Sequence, residues 1–135
     1  MNPYEKLISQ KRTWTPVAVE GGPVAEGSED TLRRCLALRC LEIPVGDFIS
    51  EATNKEVPEH SREILMMNIQ DEINHDIALN YVEATYPVDA KTTQEAQSLA
   101  QAWISHPEHP ILKAMVLERS IFFVILPFFR AFGNA

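Results

Sequence analysis

The chain has 135 residues, 45% of them apolar and 23% charged, with a net charge of −7 at neutral pH. That length reads as one domain and suffices to bury a core without staples. Five glycines and two cysteines exclude collagen-like, low-complexity and disulfide-scaffold classes, and the acidic balance repels nucleic-acid phosphate.

Residues 1–28 read as an irregular arm, punctuated by Pro3, Pro16, Gly21, Gly22, Pro23 and Gly27. Tyr4, Leu7, Ile8 and Trp14 are the residues through which it would pack on the domain. Its start, Met1–Lys6, carries no apolar stretch of the secretory kind. Residues 29–135 read as a helical domain. Ser28 is the expected N-cap of a first helix over 29–54, with Glu29 and Asp30 in its first turn. Pro44 falls inside that helix and predicts a kink or break near 41–44. Cys35 and Cys40, five apart on a helix, point away from each other and are not expected to bridge. Two unbridged thiols suggest a reducing, cytoplasmic compartment.

A second helix is expected over 58–86, with Pro58 in its first turn and a stop at Tyr86-Pro87. The excess charge collects around it: residues 56–95 hold nine acids and two bases, a balance of −7 that leaves the rest of the chain neutral. Such a stretch is either a solvated acidic face or one in which some acids meet a cation. A third helix is expected over 93–105, opened by the capping-box pattern Thr92-x-x-Glu95. The loop His106–Pro110 separates it from a fourth helix over 110–132, ended by Gly133-Asn134. The fourth is apolar on every face from Ile121 to Phe129, which predicts burial all round against further helices. Lys113, Glu118, Arg119 and Arg130 leave fewer than the roughly 18 uninterrupted apolar residues a membrane span needs. No segment alternates like a strand. The fold class expected is all-α, a bundle of four helices.

The informative feature is where three glutamates sit. In the first helix Cys35, Leu38, Glu42, Val45, Ile49 and Ala52 recur at helical spacing and form the apolar face, with Glu42 in its middle. In the second, Leu65, Ile69, Glu72, Leu79 and Val82 do the same, and His75 follows Glu72 by three residues. In the fourth, Ile111, Met115, Glu118, Phe122 and Ile125 place Glu118 in mid-stripe. A glutamate is rarely buried unpaired, because its charge then costs several kcal/mol or takes up a proton. Three glutamates and a histidine in one core imply a shared cation, and oxygen with imidazole ligands suits iron, manganese or zinc. Two alternatives stay open. A single glutamate can sit at the stripe's edge and snorkel. Arg33, Arg34, Arg39, Arg62 and Arg119 can instead pair with these acids, which would make the chain a non-catalytic helical adaptor or assembly subunit. No phosphate-binding glycine loop, Gly-x-Ser-x-Gly elbow or Cys-x-x-Cys pair offers competing chemistry.

Glu42, then Asp71-Glu72-Ile73-Asn74-His75, then Leu117-Glu118 with the following Ile121-Phe122-Phe123-Val124, resembles the ferritin-like di-iron or di-manganese carboxylate proteins. Within them it is most similar to the N-terminal part of ribonucleotide reductase small subunits and related oxidases, over about residues 30–132. The resemblance implies a ferritin-like bundle and a pair of iron or manganese ions held by Glu42, Glu72, His75 and Glu118. It implies bridging roles for Glu72 and Glu118, terminal ligation by Glu42 and His75, and an oxidoreductase or oxygenase that activates oxygen. Phe122, Ile125, Leu79 and Ile69 would line such a site and suit a hydrophobic substrate as well as oxygen. Two departures stand out. The family's second Glu-x-x-His does not follow Glu118; His106 and His109 lie in a proline-rich loop and do not replace it. And the residue four after His75 is Leu79, where radical-forming small subunits carry tyrosine; Tyr81 is six after. The missing ligands would come from a partner chain, from a second copy in a homodimer, or not at all if metal binding has been lost.

Overall fold

Helix α1, Pro3–Gln10, starts on a complete capping box: the Asn2 side chain accepts from the Glu5 amide at 2.8 Å and the Glu5 carboxylate accepts from the Asn2 amide at 2.8 Å. Pro3 takes the first helical position, where its missing N–H costs nothing. The expectation of an irregular arm over 1–28 is corrected here; the irregular stretch begins after α1. The computed structural model describes residues 1–18, 20, 22–55, 57–123, 125 and 127. Among these there is no strand.

Helix α2 is Glu29–Ala37. Ser28 precedes it in an α-helical conformation and makes no side-chain cap, so the first turn rests on Glu29 and Asp30 and their pairs with Arg33 and Arg34, each at 3.1 Å. Gly27, at φ 78°, supplies the left-handed residue of the turn that leads in. A 3-10 turn, Leu38–Leu41, then separates α2 from α3, Glu42–Thr53. This is the break expected from Pro44. Proline has no N–H for the carbonyl of Cys40 and its ring crowds that carbonyl, so the chain tightens one turn earlier and restarts at Glu42.

Helix α4, Glu59–Thr85, has 27 residues and is about 40 Å long. Helix α5 is Ala90–Ser105. Its cap is Asp89, which accepts from the Thr92 amide at 3.0 Å and from the Thr92 hydroxyl at 2.6 Å. Thr92 therefore lies inside the helix and the Thr92/Glu95 capping box does not form. Helix α6, Pro110–Leu117, is followed by a π-helical turn, Glu118–Phe122. The expected continuous α-helix thus changes its winding at Glu118; its Gly133-Asn134 end lies outside the described residues.

Helix α3 lies at the centre, packed on α4 along one side and α6 along another. Leu41, Val45, Phe48 and Ile49 meet Ala100 of α5 and Ala114 and Leu117 of α6. Of the stretch Ile121–Phe129 expected to be buried all round, Val124, Leu126, Phe128 and Phe129 lie outside the described residues, and Ile125 is buried while Phe123 is exposed. Leu112, Met115, Val116 and Phe123 face outward, so Met115 is not in the buried stripe and Ala114 and Leu117 take its place. Among the described residues no helix is long and apolar enough to cross a membrane.

Lys113 is a charged residue in the core. It is buried, with Nζ 4.2 Å from the Phe48 ring centroid, and donates to the carbonyls of Ile104 at 3.1 Å and His106 at 3.2 Å. Those carbonyls belong to the end of α5, where a cation complements the helix dipole. Lys113→Met keeps the stem's packing and leaves the two carbonyls without this donor. We expect a loss of about 2 kcal/mol, read as a lower urea midpoint at unchanged slope. An unchanged midpoint would show that water replaces the ammonium.

Candidate metal centre

Glu42 is the first residue of α3, so the 3-10 turn sets the direction in which its carboxylate enters the core. Glu72 lies halfway along α4, and Gly46 lies opposite it. A Cβ on Gly46 would come 3.5 Å from the Glu72 Cβ, so the two helices approach closely where the carboxylates meet. His75 is one turn beyond Glu72 on α4. One donor atom from each of Glu42, Glu72 and His75 lies within 4.8 Å of the others. His75 Nδ1 is 3.4 Å from Glu42 Oε2 and 3.5 Å from Glu72 Oε2.

Those distances are long for an N–H···O bond. Oε2 of Glu42 and Oε2 of Glu72 are both buried and neither has a hydrogen-bond partner. Two donors about 2.1 Å from one ion, at tetrahedral to octahedral angles, lie about 3.0–3.5 Å apart. Both oxygen–nitrogen spacings therefore fit ligands of one divalent ion, which would take the place of the imidazole proton between the two carboxylates.

The protonation pattern has the same origin. The Glu42 carboxylate, and after it that of Glu72, hold the His75 imidazolium up to about 10. Burial pushes the Glu72 carboxyl up, as does the neighbouring Glu42, against the pull of His75. Glu118 opens the π-helical turn and stands outside the three-residue group. It lines one cavity with Glu42 and His75, and a groove of about 410 Å³ with Glu72 and His75. Burial, then the Glu72 carboxylate, pushes it up to about 7. A π turn at a candidate ligand is a common place for one.

Four of the five arginines pair with other acids. Arg33 pairs with Glu29, Arg34 with Asp30, and Arg39 with both Asp76 and Glu83 at 2.9 Å. Arg62 donates to the Thr53 carbonyl and lies 3.8 Å from Glu59. Among the described residues none of the five arginines pairs with Glu42, Glu72 or Glu118, so the arginine network that the sequence left open does not form at these glutamates. His106 and His109 accept amide hydrogen bonds from Glu108 and Ile111 in their own loop, both at 3.3 Å. Cys35 and Cys40 are free, and burial pushes both thiols up.

The site has a further part that spacing does not reveal. The Trp14 ring lies 5.5 Å from the His75 ring, centroid to centroid, and its Nε1 donates to Asp71 at 3.0 Å. The Trp14 carbonyl accepts from the buried Asn74 at 2.7 Å, and Lys11 pairs with Asp71. The arm is thereby tied along α4 beside the half-exposed His75, and it reaches further down α4 where Tyr4 stacks on His60. Of the four residues expected to pack the arm, Tyr4 and Trp14 contact α4, Ile8 is partly buried and Leu7 is exposed. The role of Asn74 had no signal, since an asparagine next to a helix stripe reads as solvent-facing.

Compared with family models, curated proteins and solved structures, the chain matches none.

Proposed function

We propose that this chain is a ferritin-like carboxylate–histidine metal protein: a di-iron or di-manganese oxidoreductase or oxygenase, or the N-terminal portion of one. The observation that carries the reading is the pair of buried, unpartnered carboxylate oxygens facing one imidazole. Glu42, Glu72 and His75 would hold the first ion, and Glu118, which borders the same cavity, would join them in holding a second. A bound pair of such ions supplies oxygen activation through change of metal oxidation state. The chain's own residues offset the cationic charge and fix the imidazole, against which Trp14 is seated by Asp71 and Asn74. The second Glu-x-x-His of the resemblance would come from a second copy or another chain. The open groove between α4 and α6, bordered by His75 and Glu118, is the face on which it would act.

The test is metal per chain, by elemental analysis of protein incubated with iron(II) or manganese(II) and then separated by size. We expect a stoichiometric amount in the native chain, at least one ion, and its loss in Glu72→Ala. A folded chain that retains none, alone and as a dimer, would overturn the reading in favour of a helical assembly subunit.

A further inference from the structure

Beside the carboxylates lies a cavity of about 210 Å³, open to solvent on one side. Leu38, Ala78, Leu79, Phe122 and Ile125 form its apolar walls, and Glu42, His75 and Glu118 also border it. Ile69, expected here from the sequence, packs on the core instead. A cavity of about 150 Å³ lined by aliphatic and aromatic side chains takes up benzene. The present one is larger by about 40%, which allows one or two fused rings.

Charge narrows the ligand further. The cavity borders two glutamates, with a third behind them in contact with His75. Arg39 also lines it and is paired with Asp76 and Glu83, each of its three nitrogens 2.9 Å from a carboxylate oxygen. The two cations among the residues that line the cavity, Arg39 and the His75 imidazolium, are each already shared by two carboxylates, Asp76 and Glu83 for the one and Glu42 and Glu72 for the other. A fatty-acid anion would meet like charge in a poorly solvated space, which is repulsive.

We propose that this cavity binds an uncharged apolar molecule of one or two rings and rejects the corresponding anion. Binding needs no metal, so it stands apart from the metal reading; with metal bound beside it, the same cavity is the substrate's place.

The experiment titrates the full-length chain, with and without prior incubation in iron(II) or manganese(II), with indole and with indole-3-carboxylate, followed by ligand-observed NMR. Metal content is measured on the same samples. Indole is expected to bind once per chain with a dissociation constant of about 0.1–1 mM, and indole-3-carboxylate at least about tenfold more weakly. Ala78→Phe, which fills the cavity from a partly buried position on α4, should weaken indole binding by about tenfold or more. Ala78→Met makes the same comparison if the phenylalanine variant does not fold. Failure of indole to bind, equal binding of the anion, or undiminished binding by a folded Ala78 variant would each overturn the proposal. Indole binding without metal uptake would uphold the cavity and refute the metal reading; metal uptake without indole binding would do the reverse.

Discussion

Glu72→Gln should make the metal-free chain more stable and the metal-treated chain less so. Glu72 is 3% exposed, and its Oε2 has no hydrogen-bond partner. A second buried carboxylate, Glu42, lies beside it, and the two share one imidazole. One cation faces two anions, so the ionised pair keeps an uncompensated buried charge. Glutamine has nearly the same shape, carries no charge, and can donate to the unpartnered oxygen of Glu42. We expect a gain of about 1–2 kcal/mol at pH 8, a rise in melting temperature of about 3–8 °C. The gain should shrink as pH falls, because burial raises the Glu72 carboxyl and its protonation removes the charge that glutamine lacks. With metal the order inverts. A ligand present at about a hundred times its dissociation constant adds about 2.7 kcal/mol to the native chain, and the variant has lost the anion that binds it. Crossed melting curves are the outcome to look for. A variant less stable than the native chain in both conditions would mean that Glu72 is held by an interaction that stabilises its charge without metal.

That inverted order is also why the site was legible in the sequence at all. A glutamate in the middle of an apolar stripe breaks the local rule that the rest of the helix obeys, and such breaks concentrate where function requires them. Glu42 and Glu72 are indeed buried, and the Glu72-x-x-His75 step brings both side chains to one place. Glu118 was equally visible as a break in pattern. Its exact placement was not, because the π turn that carries it shifts the register after Leu117, and helical periodicity assumes a constant 3.6 residues per turn. Met115 is a different case: α6 winds regularly up to Leu117, and its buried face, Pro110, Lys113, Ala114 and Leu117, is rotated away from the stripe drawn through Ile111 and Met115.

The remaining misses have separate causes. Pro44 announced the break before α3, since a missing N–H acts locally whatever the tertiary context. Helix α1 went unread because eight residues lie below the length at which periodicity speaks; Asn2, Pro3 and Glu5 carried the whole signal. Two capping patterns competed before α5. Asp89 took the position because its carboxylate reaches both the amide and the hydroxyl of Thr92. Trp14 and Asn74 lay beyond reach of any pattern argument. Their contact joins residues 60 apart, and nothing in either local sequence names the other.

Raising the pH should destabilise the metal-free chain, and metal should cancel that effect. In the folded chain Glu118 is pushed up to about 7, from an ordinary value of 4.5, by burial and then by Glu72. His75 is held up to about 10, from 6.5, by the carboxylates of Glu42 and Glu72. For both groups the folded state binds the proton more tightly than the unfolded state. Their contribution is therefore complete below the unfolded value and is lost as pH rises through the folded one. For Glu118 the loss runs from about 4.5 to about 7, and for His75 from 6.5 to about 10. The His75 side chain is 45% exposed, so solvent screens much of its share and Glu118 should dominate. Between pH 5.5 and 8.5, at fixed ionic strength, we expect the melting temperature of the metal-free chain to fall by about 5 °C. Metal ligands must be deprotonated, so binding expels these same protons and strengthens with pH. The stabilisation that metal confers should therefore grow over the interval in which the bare chain weakens. Calorimetry in two buffers of different ionisation enthalpy would count about one to two protons released per ion. A metal-free chain whose stability is level from pH 5.5 to 8.5, or metal binding that releases no proton, would mean that Glu118 and His75 do not share the charge of the Glu42–Glu72 pair.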